Sequence, residues 1–306
     1  MVKSTGHWVH VRTDDGIVRS RVRGRMRLGE RKPTNPVAVG DTVSLRMGKD
    51  GTGLITRMHK RVNYLGRRAA GRRVDQGQIL VSNIDVVWII QSAALPAPNK
   101  GLIDRILVAT EAQDIQAGIV FNKMDLAHGA VLENIQVLQQ RYGSLGYMVN
   151  LTSATTGDGV EALRTALTGS ISLFTGPSGV GKSTLLNAVE PALQLRTGRV
   201  SLKTHKGRHT TAHAELFLLQ GSGGVVDTPG LREFGILDME PWELSHHFPE
   251  FRDYLTHCRF PACTHDHEPD CKVKDAYFGD LISEERYFSY LNILHSIHAG
   301  EADVGR

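Results

Sequence analysis

Eight consecutive residues constrain this chain more than any others. Gly176-Pro177-Ser178-Gly179-Val180-Gly181-Lys182-Ser183 fits the pattern G-x-x-x-x-G-K-[ST]. It follows an apolar run at 171–175 and opens a helical stretch at 183–190 that Pro191 stops. A strand, a glycine-rich turn and a helix in that order aim backbone N–H groups and the positive end of a helix at one point, which suits phosphate oxygens. Lys182 can reach β- and γ-phosphates and the Ser183 hydroxyl can ligate Mg²⁺, with Thr184 next in the binding segment. The plain alternative, a glycine-rich turn with no ligand, does not need the Lys-Ser ending.

A phosphate loop does not name the base; Asn122-Lys123-Met124-Asp125 does. It ends the apolar run 118–121, and ligands of open parallel sheets lie at the C-terminal ends of strands. The Asp125 carboxylate can accept from both N1–H and the exocyclic amino group of guanine, whereas adenine offers it an acceptor at N1. Ser153-Ala154, after the next strand, is placed to offer a backbone N–H to guanine O6. Asp227-Thr228-Pro229-Gly230 follows the short strand 224–226; Asp227 suits a Mg²⁺ held through water, and Gly230 an amide that senses the γ-phosphate. Between them lies Gly207-Arg208-His209-Thr210-Thr211, where Thr210 or Thr211 is the candidate for a second hydroxyl ligand. Each of these turns would be weak alone.

The surrounding texture is α/β. The run 84–90 is nearly all apolar, as in a strand buried on both faces. Ile103, Ile106, Leu107 and Thr110 recur at helical spacing, and further strands (118–121, 147–151, 171–175) alternate with helices, which predicts a parallel sheet. No apolar run approaches the ~18 residues of a membrane span, and residues 1–13 lack the apolar core of a signal peptide, so a cytoplasmic protein away from membranes is expected.

The first 75 residues differ. They hold 18 Lys and Arg against 6 Asp and Glu, while the remaining 231 hold 18 against 26. So uneven a charge marks a polyanion surface. Short alternating segments at 7–12, 17–23, 39–45 and 54–58, with turns at Asp14-Asp15-Gly16 and Lys49-Asp50-Gly51, predict a small β-barrel of the OB type. Arg19, Arg21, Arg23, Arg25 and Arg27 would share one face of a strand. The basic segment 67–73 reads as a loop near a domain boundary.

The motifs are those of a translation-factor-class GTPase in a permuted order: base tetrad, Ser-Ala, phosphate loop, threonine loop, DTPG. In that order, and with the cysteine cluster near the end, the chain resembles the RsgA (YjeQ) family of small-ribosomal-subunit biogenesis GTPases. The resemblance implies an α/β circularly permuted P-loop GTPase domain (74–234) between an OB-fold β-barrel (1–73) and a zinc-binding helical domain (235–306). It also implies late maturation of the small ribosomal subunit, with its rRNA and GTP/GDP as partners and a monomeric chain.

All three cysteines lie in Cys258-x₄-Cys263-x-His265-x₅-Cys271. Three thiolates and one imidazole can close a tetrahedral Zn²⁺ site, and four protein ligands leave no open position for catalysis. His267 rivals His265, which the family pattern favours; His257 and Asp266 read as neighbours. An odd cysteine count argues against a disulfide framework.

Where many GTPases carry a glutamine after the DxxG turn, this chain has Leu231, which cannot orient water. Slow intrinsic hydrolysis is therefore expected, with Lys182, Thr210 and Thr211 in the catalytic set and His209 as the candidate for positioning water. Because DTPG runs into the cysteine-bearing segment, γ-phosphate sensing at Gly230 could reach that domain, so the barrel and zinc domains could grip the subunit with GTP and release it after hydrolysis. Two alternatives stand beside this reading: a P-loop ATPase or kinase, which the base tetrad disfavours, and an RNA-binding assembly protein in which bound GTP is mainly structural.

Overall fold

The computed structural model describes residues 1–5, 8–23, 37–68, 77–195, 214–220, 222–227 and 239–299. Its N-terminal unit has five strands, β1 (Lys3–Thr5), β2 (Trp8–Thr13), β3 (Gly16–Val22), β4 (Val43–Met47) and β5 (Gly53–Met58). The first three form a meander, β5 lies parallel to β3, and β4 pairs with the far edge of β5. This is the Greek-key path of an OB-fold. Period-two alternation sets the faces: Val9 and Val11 are buried with Val37 and Ile55, while Trp8, His10 and Arg12 fall on the other side. Arg19 and Arg21 lie in β3 and Arg23 just after it; Arg25 and Arg27 lie outside the described residues.

A hairpin, β6 (Tyr64–Arg68) and β7 (Gly77–Ser82), follows. Arg67 and Arg68 therefore belong to a strand, not to the loop expected there. The basic composition hid it, because Leu65 and Val81 are the pair that bury it, and they join the core of the next unit.

That unit is a layered α/β structure. Its strands are β8 (Val86–Ser92), β9 (Gln116–Asn122), β10 (Met148–Leu151), β11 (Ile171–Thr175), β12 (Glu215–Leu218) and β13 (Gly224–Asp227). In the order β10-β9-β8-β11-β13 all neighbours are parallel, and β12 adds an antiparallel edge. Every residue of β8 is buried. Val87 and Ile89 pack toward α1 (Lys100–Glu111) and α2 (Ala130–Ser144), while Val86, Trp88 and Ile90 pack toward α3 (Val160–Leu167) and α4 (Lys182–Val189). Helices on both faces explain why β8 reads as a continuous apolar run. The barrel joins this sheet edge to edge, since β1 pairs antiparallel with β12 and Lys3 meets Glu215 at 2.7 Å.

The C-terminal unit holds two 3₁₀ segments, Pro241–His247 and the single turn Pro249–Phe251, and α5 (Arg252–Leu255), α6 (Lys272–Phe278) and α7 (Glu284–His298). Phe248, Phe251, Tyr287, Tyr290 and Leu294 form its core, which also takes in Val108 of α1. Helix α1 is thus covered on two sides. Asp104 and Arg105, although charged, are buried, and Arg105 contacts Ser296 of α7. Among the described residues no helix is long and apolar enough to cross a membrane.

Candidate nucleotide and metal sites

The glycine-rich turn leaves the C-terminal end of β11, and α4 starts at Lys182. Gly176 has φ +143°, and a Cβ there would lie 2.0 Å from the Ile90 carbonyl oxygen, so only glycine lets the loop pass the end of β8 so closely. The Lys182 ammonium donates to the Gly176 and Pro177 carbonyls at 2.8 and 2.9 Å, closing over its own loop. Ser178 and Thr184 are exposed and Ser183 half-buried at the start of the helix.

The base tetrad touches this loop directly. Asn122 donates through Nδ2 to the Val180 carbonyl at 3.0 Å, and a Cβ on Gly181 would come within 2.5 Å of that nitrogen. Its Oδ1 accepts from the Thr152 hydroxyl and the Ala154 N–H, both at 3.2 Å. Lys123, at φ +64°, donates to the Gly179 carbonyl at 2.6 Å and the Leu95 carbonyl at 2.7 Å. Burial lowers the Lys123 pKa, against the pull of Asp125. The Ser153 hydroxyl donates to Asp125 at 2.6 Å.

Three separate sequence segments are therefore knitted together around Asn122 and Lys123. Thr152 and the Leu95 carbonyl were not singled out in the sequence; a polar residue at the end of a buried strand was the only sign of the first. Both amides of the Ser-Ala pair are engaged within the protein, Ser153 N–H with the Asp158 carbonyl and Ala154 N–H with Asn122. An O6 contact there would share the Ala154 amide. Asp227 ends β13, paired beside Phe174 of the strand that leads into the loop, and is buried. His209, Thr210, Thr211 and Gly230 lie outside the described residues.

Elsewhere, Cys258, Cys263, His265 and Cys271 bring one ligand atom each to within 4.8 Å of one another. The His265 Nδ1 lies 3.6 Å from the Cys258 sulfur and 3.3 Å from that of Cys271. Zinc with Zn–S of about 2.3 Å and Zn–N of about 2.0 Å spaces such atoms by roughly 3.5 Å, so the donor set fits a tetrahedral ion. Burial drives the His265 pKa down to about 4, keeping the imidazole neutral, and pushes the Cys263 thiol up to about 12. Only a cation would hold that thiol as thiolate at neutral pH.

The loop carrying the site is held from behind. Tyr287 donates to the His265 carbonyl at 2.7 Å and Tyr290 to that of Thr264 at 2.6 Å. His267 is not part of the cluster; His257 contacts the Asp253 carbonyl, and Asp266 lies 3.2 Å from His295.

Comparison with known proteins gives consistent matches. Residues 58–237 match the family model described as RsgA GTPase, and residues 1–55 that of the RsgA N-terminal domain. A protein of Bacteroides thetaiotaomicron named small ribosomal subunit biogenesis GTPase RsgA 2 is 40% identical over 302 residues, covering 98% of this chain and 97% of its own. The Flavobacterium johnsoniae small ribosomal subunit biogenesis GTPase RsgA is 41% identical over 95% of this chain and 91% of its own. Among solved structures, YjeQ from Thermotoga maritima superposes with a TM-score of 0.77 at 35% identity, covering 97% and 96% of the two chains. YloQ, described as a circularly permuted GTPase, gives 0.72 at 29% identity over 99% and 95%.

Proposed function

The chain belongs to the RsgA family of circularly permuted GTPases and is a GTP hydrolase, and we propose that it turns over GTP on the small ribosomal subunit, binding with GTP and leaving after hydrolysis late in subunit maturation. The observation that carries the site is the strap from the base tetrad to the phosphate loop, Asn122 to Val180 and Lys123 to Gly179. It fixes the distance between where a base and where its phosphates would lie.

In this reading Asp125, oriented by Ser153, accepts from the two N–H groups on guanine's edge. Adenine would leave that carboxylate facing an acceptor, a cost of about 1–3 kcal/mol or more. The residues 176–184 surround the phosphates, and Lys182 exchanges its two loop carbonyls for β- and γ-phosphate oxygens. Ser183 and Asp227, with Thr210 or Thr211, would hold Mg²⁺, which would supply positive charge against the phosphates. His209 positions water. Cys258, Cys263, His265 and Cys271 hold one structural Zn²⁺.

We take 1–73, 74–234 and 235–306 as the working units of a monomeric chain that acts in the cytoplasm, where the subunit and its rRNA are. DTPG leads into the C-terminal unit, so a γ-phosphate-dependent change at Gly230 has a covalent path to it. The test is GTP hydrolysis measured in parallel with small subunits, large subunits and free RNA. Stimulation by small subunits alone supports the reading; equal rates in all arms end it. Leu231, where glutamine often stands, keeps a second reading in play, an RNA-binding assembly protein with structural GTP. Stimulation to multiple turnovers would remove that alternative.

A further inference from the structure

The strands β2 and β3 place an aromatic residue between two arginines. His10 pairs with Arg19 and Val9 with Ser20, so Trp8, His10 and Arg12 share one face of the sheet with Arg19 and Arg21. Val9, Val11 and Ser20 are buried on the other. The guanidinium carbon of Arg19 lies 3.9 Å from the centroid of the Trp8 ring, and that of Arg21 lies 4.2 Å from the same point. Both arginines are exposed. Among the described residues no carboxylate pairs with either; Asp50, which feels the charge of Arg21, has its carboxylate bonded to the Thr52 N–H and hydroxyl.

Two like charges on flexible stems do not gather on a surface unaided. The indole supplies the attraction, since its ring face favours a cation and guanidinium stacks on it well. Stacked guanidinium groups keep their N–H edges available, and those edges match the oxygens of a phosphate in pairs. We propose that Trp8, Arg19 and Arg21 form a clamp for the phosphodiester backbone of RNA, in which Trp8 is a positioning residue for the two arginines. This rests on reading the chain as a protein that works on the small ribosomal subunit, and it deepens that reading by naming a contact. Because the ring is engaged by the arginines, the clamp reads backbone charge and not base identity.

The test uses the full chain and a uridine 20-mer, with affinity measured by fluorescence anisotropy from 50 to 300 mM KCl. Arg19→Gln with Arg21→Gln should lower the slope of log K against log[KCl] by about 1.4, two single-strand phosphate contacts. Trp8→Leu, with both charges kept, should weaken binding about three- to fivefold at fixed salt, and Trp8→Phe should recover part of it. Basal GTP hydrolysis and the melting temperature should stay as in the parent. An unchanged slope in the double variant overturns the clamp, and so does parental affinity in Trp8→Leu. Loss of binding to polyglutamate but not to the RNA also overturns it, in favour of an acidic protein partner. If Trp8→Leu fails to fold, the arginine pair and Trp8→Phe still decide. Parent protein that small subunits do not stimulate would refute the proposed function; stimulated parent with variants that bind RNA equally well would refute the clamp alone.

Discussion

The guanidinium of Arg286 meets the carboxylate of Asp104 at 2.6 Å across the join between α7 and α1, with 3% of either side chain exposed. Arg286 also contacts Glu250 at 2.5 Å and lies 4.5 Å from the Phe248 ring centroid, while Tyr142 donates to the same Asp104 oxygen at 2.9 Å. Burial works against the charged guanidinium, but Asp104 and Glu250 outweigh it and hold its pKa above the ordinary value. The C-terminal unit is thus locked to the GTPase core through a buried charge cluster.

Asp104→Ala removes one partner and leaves a buried cation short of an acceptor, which costs about 3–5 kcal/mol. Urea unfolding should show this as a large loss of stability, with the C-terminal unit melting first. Asp270→Ala is the control, because the Arg259–Asp270 pair is 62% and 66% exposed and should cost under about 1 kcal/mol. Equal effects at the two sites would mean that burial of the cluster is not what fastens the units.

Asn122→Ala should act on nucleotide binding through the protein's own scaffold. The Val180 carbonyl, the Thr152 hydroxyl and the Ala154 N–H all lose one partner at once. At about 1–2 kcal/mol net, the loss predicts roughly five- to thirtyfold weaker GDP binding, read by displacement of a fluorescent analogue. Thr152→Val, which removes one of the three, should give a smaller part of the same effect. Binding unchanged in both would separate the strap from the nucleotide site.

The motifs were legible because each is contiguous, and its chemistry depends on neighbours a few residues away. That holds for residues 176–183, for 122–125 and for the Cys258–Cys271 cluster. What sequence did not reveal is what tertiary contacts create. Leu95 serves through a backbone carbonyl, which no residue type signals. Asp104 and Arg105 look like solvent-facing charges on α1 until a second unit covers them. Arg67 and Arg68 hide a strand because its buried pair, Leu65 and Val81, is only legible once the hairpin is formed. The edge pairing of β1 with β12 joins residues more than 200 positions apart and has no local sign at all.

Asp41 gives the pH prediction. Burial works to raise its carboxyl, but the Arg61 fork at 2.6 and 2.8 Å, the Ala38 N–H and the Ser82 hydroxyl outweigh burial and hold its pKa below the ordinary carboxylate range. A folded pKa below the unfolded value of about 3.9 means the contribution is complete above that value. It fades as pH falls toward the folded pKa. Asp41→Asn should therefore cost more at pH 7 than at pH 3.5, measured by denaturant unfolding at both. A cost that grew on acidification would reverse the sign and reject the assignment.

The four-residue Cys/His cluster should carry one zinc per chain by elemental analysis, and Cys271→Ser should lose it. Tyr287 and Tyr290 bond to carbonyls of the loop that holds His265, so metal loss should free both phenols. Near-ultraviolet circular dichroism should fall, and hydrogen exchange should rise across residues 257–272. With the proposed GTP site in a different unit, basal GTP hydrolysis should survive a zinc-selective chelator with Mg²⁺ kept in excess better than stimulation by small subunits does. Retained metal in Cys271→Ser would point to a different ligand set.

His209 is the sharpest test of the chemistry, because Leu231 cannot orient water and no other residue of the threonine loop can both accept and donate a proton near neutrality. His209→Ala should lower kcat in the presence of small subunits by about 100-fold or more, with affinity for GTP and for the subunit little changed. Such a split separates a role in hydrolysis from a role in binding. His209→Gln, which can still hold a water by hydrogen bonds without exchanging a proton, should recover part of the rate if the imidazole only orients, and none if it must also take the proton. Stimulated turnover that is untouched in both variants would move the water-positioning role to the ribosome itself.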